Sequence, residues 1–154
     1  MLKHLRIVSM VAAGLLVAAA AGAQNYTASL DGLQEVPPNA SPGYGSGSFT
    51  LDAAKILSYS ITFTGLVAPE TAAHIHGPAA AGSNAGVLFP LPPGSPKIGT
   101  IGPLTATQEG WLNTAMLYVN IHSQTFPGGE IRGQITAATA VKEGTWGRIK
   151  KLFE

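Results

Sequence analysis

The chain has 154 residues, with nine basic and eight acidic side chains and a formal net charge of +1. This near-neutral balance gives no basic patch for nucleic acid, and the absence of cysteine excludes disulfides, thiol catalysis and thiolate metal sites. The 19 glycines and 11 prolines are spread along the chain and disfavour long helices.

The first 23 residues have the pattern of a secretory signal peptide. Lys3 and Arg6 precede an apolar run over residues 7–21, and small residues at positions 21–23 form a cleavage site. The alternative, an N-terminal membrane anchor, is disfavoured because the run is shorter than the roughly 20 residues that span a bilayer. Cleavage after Ala23 predicts a secreted or periplasmic protein with seven basic and eight acidic residues.

Short segments with the period of a β-strand follow the signal peptide. The clearest is "KILSYSITFTGL", in which Leu57, Tyr59, Ile61 and Phe63 fall on one face and serines and threonines on the other. Similar runs start near residues 25, 45, 72, 86, 116 and 130. They predict a single all-β domain over residues 24–137, an antiparallel β-sandwich or small barrel of about seven or eight strands.

One short helix is expected to interrupt the strands. In "LTATQEGWLNTAM", Thr105 and Gln108 have the spacing of a capping box, in which each side chain satisfies a backbone N–H of the other residue. The following residues predict about two helical turns before strand patterning resumes.

The stretch "NIHSQTFPGGEIRGQI" predicts a β-hairpin, because two alternating runs flank a loop with Pro127, Gly128 and Gly129. Alternation along its strands separates two faces. The inward face is predicted to hold Leu117, Val119, Ile121, Ile131 and Ile135, and the opposite face Tyr118, Asn120, His122, Glu130, Arg132 and Gln134.

Residues 138–154 differ from the domain before them and form a basic, amphipathic tail. This segment holds four of the seven basic residues left after cleavage, and Trp146, Ile149 and Phe153 are spaced at i, i+3 and i+7. One interpretation is a short helix that makes peripheral contact with an anionic membrane or a partner. The other is a frayed tail, since so short a helix is marginal alone in water.

Three histidines remain after signal cleavage, and they are the candidate metal ligands. His74 and His76 project from one side of a strand, and His122 lies on the polar face of the hairpin within reach of Glu130. Three neutral imidazoles with a carboxylate as fourth ligand or orienting group suit one Zn²⁺ or Cu²⁺ ion. The alternative is that these histidines only tie neighbouring loops together by hydrogen bonds. Arg132, on the same face, is predicted to pair with Glu130 or with an acid of a partner.

Several motifs in order resemble the CHRD domain, which occurs as repeats in chordin and alone in secreted bacterial proteins. They are "LDGLQEVPP", "GYGSGSFTL", "GLVAPETAAHIHGPAAAGSNAGVLFPL", "GPLTATQEGWL", "LYVNIHS" and "PGGEIRGQI", from about Leu30 to Ile135. The resemblance implies an extracellular, immunoglobulin-like sandwich and no established reaction. The motif residues include His74, His76, Asn120, His122, Glu130 and Arg132.

Two functions stay open at this stage. The first is a monomeric, non-enzymatic binding or structural module, with or without one metal ion, whose partner is an extracellular or periplasmic protein or an envelope component. The second is a mononuclear copper or zinc metalloprotein or metalloenzyme built on His74, His76 and His122. A fold-level analogy to copper-zinc superoxide dismutase argues against dismutation, because that two-metal site needs more histidines and uses a disulfide.

Overall fold

The computed structural model describes residues 22–139. The predicted signal peptide and basic tail lie almost entirely outside these residues, so both stay predictions. Nine strands, one α-helix and one 3₁₀ helix make up the described part. In chain order they are β1 (Gln24–Asp31), a 3₁₀ turn (Gly32–Gln34), β2 (Tyr44–Leu51), β3 (Leu57–Thr64), β4 (Glu70–His76), β5 (Val87–Pro90), β6 (Lys97–Ile101), α1 (Ala106–Asn113), β7 (Tyr118–Ser123), β8 (Ile131–Gln134) and β9 (Thr136–Ala137).

The strands form one antiparallel, nearly closed, barrel-like sheet. Its order is β5-β4-β7-β8-β1-β2-β3-β6, and β9 pairs with β1. The predicted all-β class with one short helix is confirmed, whereas the immunoglobulin-like sandwich arrangement stays a prediction. Within residues 22–139, no helix is long and apolar enough to cross a membrane.

Alternating strand residues build the core as the sequence predicts. In β3, Leu57 and Ile61 are fully buried while Ser58 and Thr62 are exposed. The five predicted inward residues of the hairpin are all fully buried: Leu117, Val119, Ile121, Ile131 and Ile135. They join one apolar cluster with residues of β1 to β4, which fixes the position of β7 in the sheet.

The helix begins and ends where its capping residues predict. The Thr105 hydroxyl accepts a hydrogen bond from the Gln108 N–H at 3.2 Å, and the Gln108 side chain accepts one from the Thr105 N–H at 2.9 Å. Helix α1 then packs Leu112 into the core. The capping box therefore closes the N-terminus of the helix as expected.

The second face of the β7–β8 hairpin is buried as well. All six residues of β7 are inaccessible, and Arg132 of β8 is only 1% exposed. Two segments cover this polar face: residues 77–86, tied to it through Ala85 and Ser83, and residues 32–39, which Asn84 reaches by donating to the Val36 carbonyl at 2.8 Å. Polar side chains are thus enclosed together rather than left in water.

Candidate metal centre

The pairing of β4 with β7 brings the three histidines together. His74 lies opposite Asn120, His76 opposite Tyr118, and Ala72 opposite His122. Paired residues of adjacent strands project to the same face of a sheet. The imidazole centroids are accordingly 5.0 Å apart for His74 and His122, 5.4 Å for His74 and His76, and 5.8 Å for His76 and His122.

Backbone carbonyls orient two of the rings. The Nδ1 atom of His76 lies 3.0 Å from the Ala85 carbonyl oxygen, and Nδ1 of His122 lies 3.0 Å from that of Pro127. A carbonyl oxygen only accepts, so each Nδ1 carries the proton and each neutral ring keeps its lone pair on Nε2. This is the outer hydrogen bond that holds histidine ligands in metal sites.

The free nitrogens converge on one point. One ligand nitrogen from each of His74, His76 and His122 lies within 4.8 Å of the others. The nitrogens of tetrahedral zinc ligands, at about 2.1 Å from the ion, are roughly 3.4 Å apart. The 3.1 Å between His74 Nδ1 and His122 Nε2 is already close to that spacing, so small side-chain rotations would complete the group.

The Nε2 atom of His76 is the least satisfied atom of the cluster. It is buried and has no hydrogen-bond partner within the described part of the chain. An unpartnered buried polar atom costs about 1–3 kcal/mol. A lone pair held in that state beside two other imidazoles fits the chemistry of a bound metal ion, and the donor set suits Cu²⁺ or Zn²⁺.

Burial favours the neutral form of His76 and His122. It lowers the pKa of His76, with a further contribution from the nearby His74 and Arg132, and it lowers the pKa of His122, beside His74 and His76. Desolvation and neighbouring positive charge both disfavour the imidazolium. Neutral imidazole is the form that binds metal, so these rings remain competent below the usual histidine pKa.

Glu130, the predicted fourth ligand, lies outside the histidine group. Its Oε1 atom accepts hydrogen bonds from the Ser41 hydroxyl at 2.6 Å and from the Val67 N–H at 2.7 Å. These contacts turn the carboxylate toward the loops after β1 and β3. The predicted pairing with Arg132 is likewise not seen, since within residues 22–139 no carboxylate lies within 4.0 Å of that guanidinium.

Asn120 and Arg132 extend the polar face from the histidines on β4 and β7 to β8. Arg132 lies opposite Asn120 in the β7–β8 pairing, and its guanidinium carbon lies 3.6 Å from the centre of the Tyr118 ring. Tyr118 stacks on His76, with centroids 5.1 Å apart and planes 10° from parallel. Arg132, Tyr118 and His76 therefore form one stack that ends at the histidine cluster.

Glu35 is a buried acid of this face that sequence reasoning missed. It is 5% exposed, and its Oε2 atom accepts a long hydrogen bond of 3.4 Å from the Asn120 amide. Its Oε1 atom has no hydrogen-bond partner among residues 22–139. Burial raises the pKa of Glu35 to about 7, although Arg132 acts in the opposite direction. Its only sequence signal is a carboxylate between Gln34 and the apolar "VPP", which has no strand period.

Gly129 makes this arrangement possible in the hairpin loop. Its φ of 137° favours glycine, and a Cβ there would lie 2.5 Å from the Asn120 amide and 2.7 Å from Glu35 Oε1. The loop can therefore lie directly against the buried amide and acid while it also presents the Pro127 carbonyl to His122.

Comparison with known proteins agrees with this architecture. The sequence model described as the CHRD domain matches residues 26–135, from the first strand to the end of the hairpin. No curated protein and no solved structure shows a significant match to the chain.

Proposed function

This chain belongs to the CHRD domain family, and we propose that its domain is an extracytoplasmic binding module that holds one Cu²⁺ or Zn²⁺ ion through His74, His76 and His122. The observation that carries the proposal is the buried Nε2 of His76, which has no hydrogen-bond partner within residues 22–139 and whose ring is fixed by the Ala85 carbonyl. A purely structural histidine has no need of a second nitrogen left without a partner. A bound metal ion would give His76 Nε2 a partner.

The three imidazoles would supply the protein ligands, and the Ala85 and Pro127 carbonyls would hold the protons of His76 and His122 on Nδ1. His74 donates from Nδ1 to His122 Nε2 in the described geometry. Its proton would have to move to Nε2 so that the inner nitrogen presents a lone pair. Within residues 22–139 no carboxylate joins the three histidines, since Glu130 Oε1 is held by Ser41 and Val67, and the fourth position would be taken by water or a donor atom of a partner.

A calorimetric titration of tag-free protein with Cu²⁺ and Zn²⁺ tests the proposal. We expect saturable binding of one ion per chain, with affinity that falls as pH drops below the usual histidine pKa of about 6.5, because imidazole must be neutral to bind. A free metal concentration of about one hundred times Kd should raise the free energy of unfolding by about 2.7 kcal/mol. The metal-loaded protein should therefore melt at a higher temperature. A titration without saturable one-to-one binding would leave only the structural role.

A second candidate function is a mononuclear metalloenzyme. Three protein ligands and an open fourth position are typical of catalytic rather than structural zinc sites. Within residues 22–139, however, Glu130 is the one acid predicted near the cluster, and its Oε1 atom is engaged by Ser41 and Val67. Hydrolysis of activated esters by the metal-loaded protein, absent from the metal-free protein and from His122→Ala, would favour the enzyme over the binding module.

The compartment and the tail belong to the same proposal. Residues 1–23 have the signal-peptide pattern, and the mature module would act outside the cytoplasm as a monomer, on a protein or envelope component. The basic tail over residues 138–154 would add peripheral membrane contact. The intact mass of exported protein should correspond to a chain that begins at Gln24, and retention of residues 1–23 would contradict export by cleavage.

A further inference from the structure

Arg132 is a buried cation whose contacts are mainly with one loop. From Nη2 it donates to the Ser83 carbonyl at 2.9 Å and at longer range, 3.5 Å, to that of Ala80; from Nη1 it donates to Asn84 Oδ1 at 3.2 Å. A buried charge without a close counter-charge is costly. Apart from a long contact of 3.4 Å with Gln134 Oε1, these hydrogen bonds all hold the loop formed by residues 80–85, here called the 80–85 loop.

The end of the 80–85 loop orients His76. The Ala85 carbonyl accepts from His76 Nδ1 at 3.0 Å, and the Ala85 N–H donates to the Tyr118 hydroxyl at 3.0 Å. One residue thus sets which nitrogen of His76 carries the proton and also holds the aromatic ring against which His76 stacks. If the loop moves, the Nε2 lone pair loses its direction.

Arg132 contacts the same assembly from its other side. Its guanidinium carbon lies over the Tyr118 ring, 3.6 Å from the ring centre, and Tyr118 in turn lies nearly parallel to His76. A planar guanidinium can stack and donate several hydrogen bonds at once, whereas an ammonium cannot. Arg132 therefore reaches His76 by two routes, through the loop carbonyl and through the stacked ring.

We propose that Arg132 is a positioning residue of the metal centre, which fixes the tautomer and direction of His76 through the 80–85 loop and the Tyr118 ring without touching the ion. The inference rests on the proposed metal-binding function. It assigns to Arg132 the part that outer hydrogen-bonding groups take in metal sites, where their loss lowers metal affinity by about 10- to 100-fold.

The test compares Cu²⁺ binding by tag-free parent, Arg132→Lys and Arg132→Met at pH 7.5, by competition titration and electron paramagnetic resonance. Lysine keeps the charge and methionine keeps an apolar stem, but neither can form the stack and the loop contacts together. We expect each variant to bind one Cu²⁺ with Kd raised about 10- to 100-fold and with a changed copper hyperfine pattern. Parent-like affinity and an unchanged spectrum in both would overturn the proposal.

A matched control distinguishes an effect on metal binding from a general loss of stability. Lys97→Met also removes a fully buried cation, one that pairs with Glu70 and donates to the Pro92 carbonyl. It should lower the melting temperature and leave the Cu²⁺ affinity and spectrum unchanged.

If the Arg132 variants fail to fold, Tyr118→Phe keeps the ring and removes only the hydroxyl contact with Ala85. It should raise Kd by about 10-fold, the low end of the outer-group range, and parent-like copper binding there would count against the proposal.

The two proposals fail differently. If the parent binds no metal, the proposed function is wrong, whatever the variants do. If the parent binds one Cu²⁺ and all three variants bind it equally well with the same spectrum, the function stands and the positioning role of Arg132 is wrong.

Discussion

Replacing His122 with alanine is expected to lower the affinity for Cu²⁺ or Zn²⁺ by more than about 100-fold. The loss of an outer hydrogen-bonding group already costs about 10- to 100-fold, and His122 supplies a ligand atom. Its Nε2 atom lies 3.1 Å from His74 Nδ1, so its lone pair points into the histidine cluster. Competition titration with a chelator of known affinity measures the change.

His122→Asn is the matched control for folding. An asparagine amide nitrogen can take the position of Nδ1 and donate to the Pro127 carbonyl, but asparagine has no nitrogen at the position of Nε2. His122→Asn should therefore lose the metal affinity and keep more of the metal-free stability than His122→Ala. If His122→Asn bound metal like the parent, this nitrogen would not be a ligand.

Replacing Glu35 with glutamine is expected to raise the free energy of unfolding at pH 8 by about 2 to 3 kcal/mol, measured with a chelator present. The folded protein holds the pKa of Glu35 at about 7, above the usual 4.5. The folded state therefore binds the proton more tightly, and its stability falls as pH rises from about 4.5 to about 7. Above pH 7 the buried carboxylate is ionised, so the folded state bears the full free-energy cost of its desolvated charge. The neutral amide of glutamine avoids this cost.

The pH dependence of this stability difference tests whether Glu35 is the group responsible. The gain from Glu35→Gln should vanish near pH 4, where the carboxyl is protonated in both states, and reach its full size above pH 7. His76 and His122 have lowered pKa values and act oppositely, because their stability is lost as pH falls below the unfolded value of 6.5. Their contribution is common to parent and variant and cancels in the difference.

Glu109→Gln serves as the comparison for Glu35→Gln. It removes a partly exposed ion pair with Lys55 on the helix, and such pairs contribute less than about 1 kcal/mol. A gain in Glu35→Gln that is independent of pH, or a loss of stability at pH 8, would contradict the burial of an ionisable Glu35.

Local sequence patterns were sufficient to predict strands with alternating apolar and polar residues and a helix that begins with a capping box. Leu57 and Ile61, the helix after Thr105, and the hairpin were all predicted from such patterns. Strand β6 was not, because prolines precede it and Gly99 interrupts it. The structure explains that glycine, since a Cβ at residue 99 would lie 2.5 Å from the Tyr59 hydroxyl.

The site was predictable only as far as strand alternation reaches. Alternation placed His74, His76 and His122 on compatible faces, and the pairing of β4 with β7 brought them together. It could not place Glu130, because the bend at Gly129 precedes β8 and the carboxylate is held by residues 41 and 67. Nor could it reveal Glu35 or the 80–85 loop, which reach the site through irregular segments with no period.

The most direct measurement of the central claim is X-ray absorption of tag-free protein loaded with one equivalent of Cu²⁺ or Zn²⁺. We expect three imidazole nitrogens at about 2.0–2.1 Å, with a light-atom donor such as water completing the shell. His122→Ala treated identically should show fewer imidazoles or no bound ion. A parent spectrum with one imidazole or none would contradict a centre formed by His74, His76 and His122.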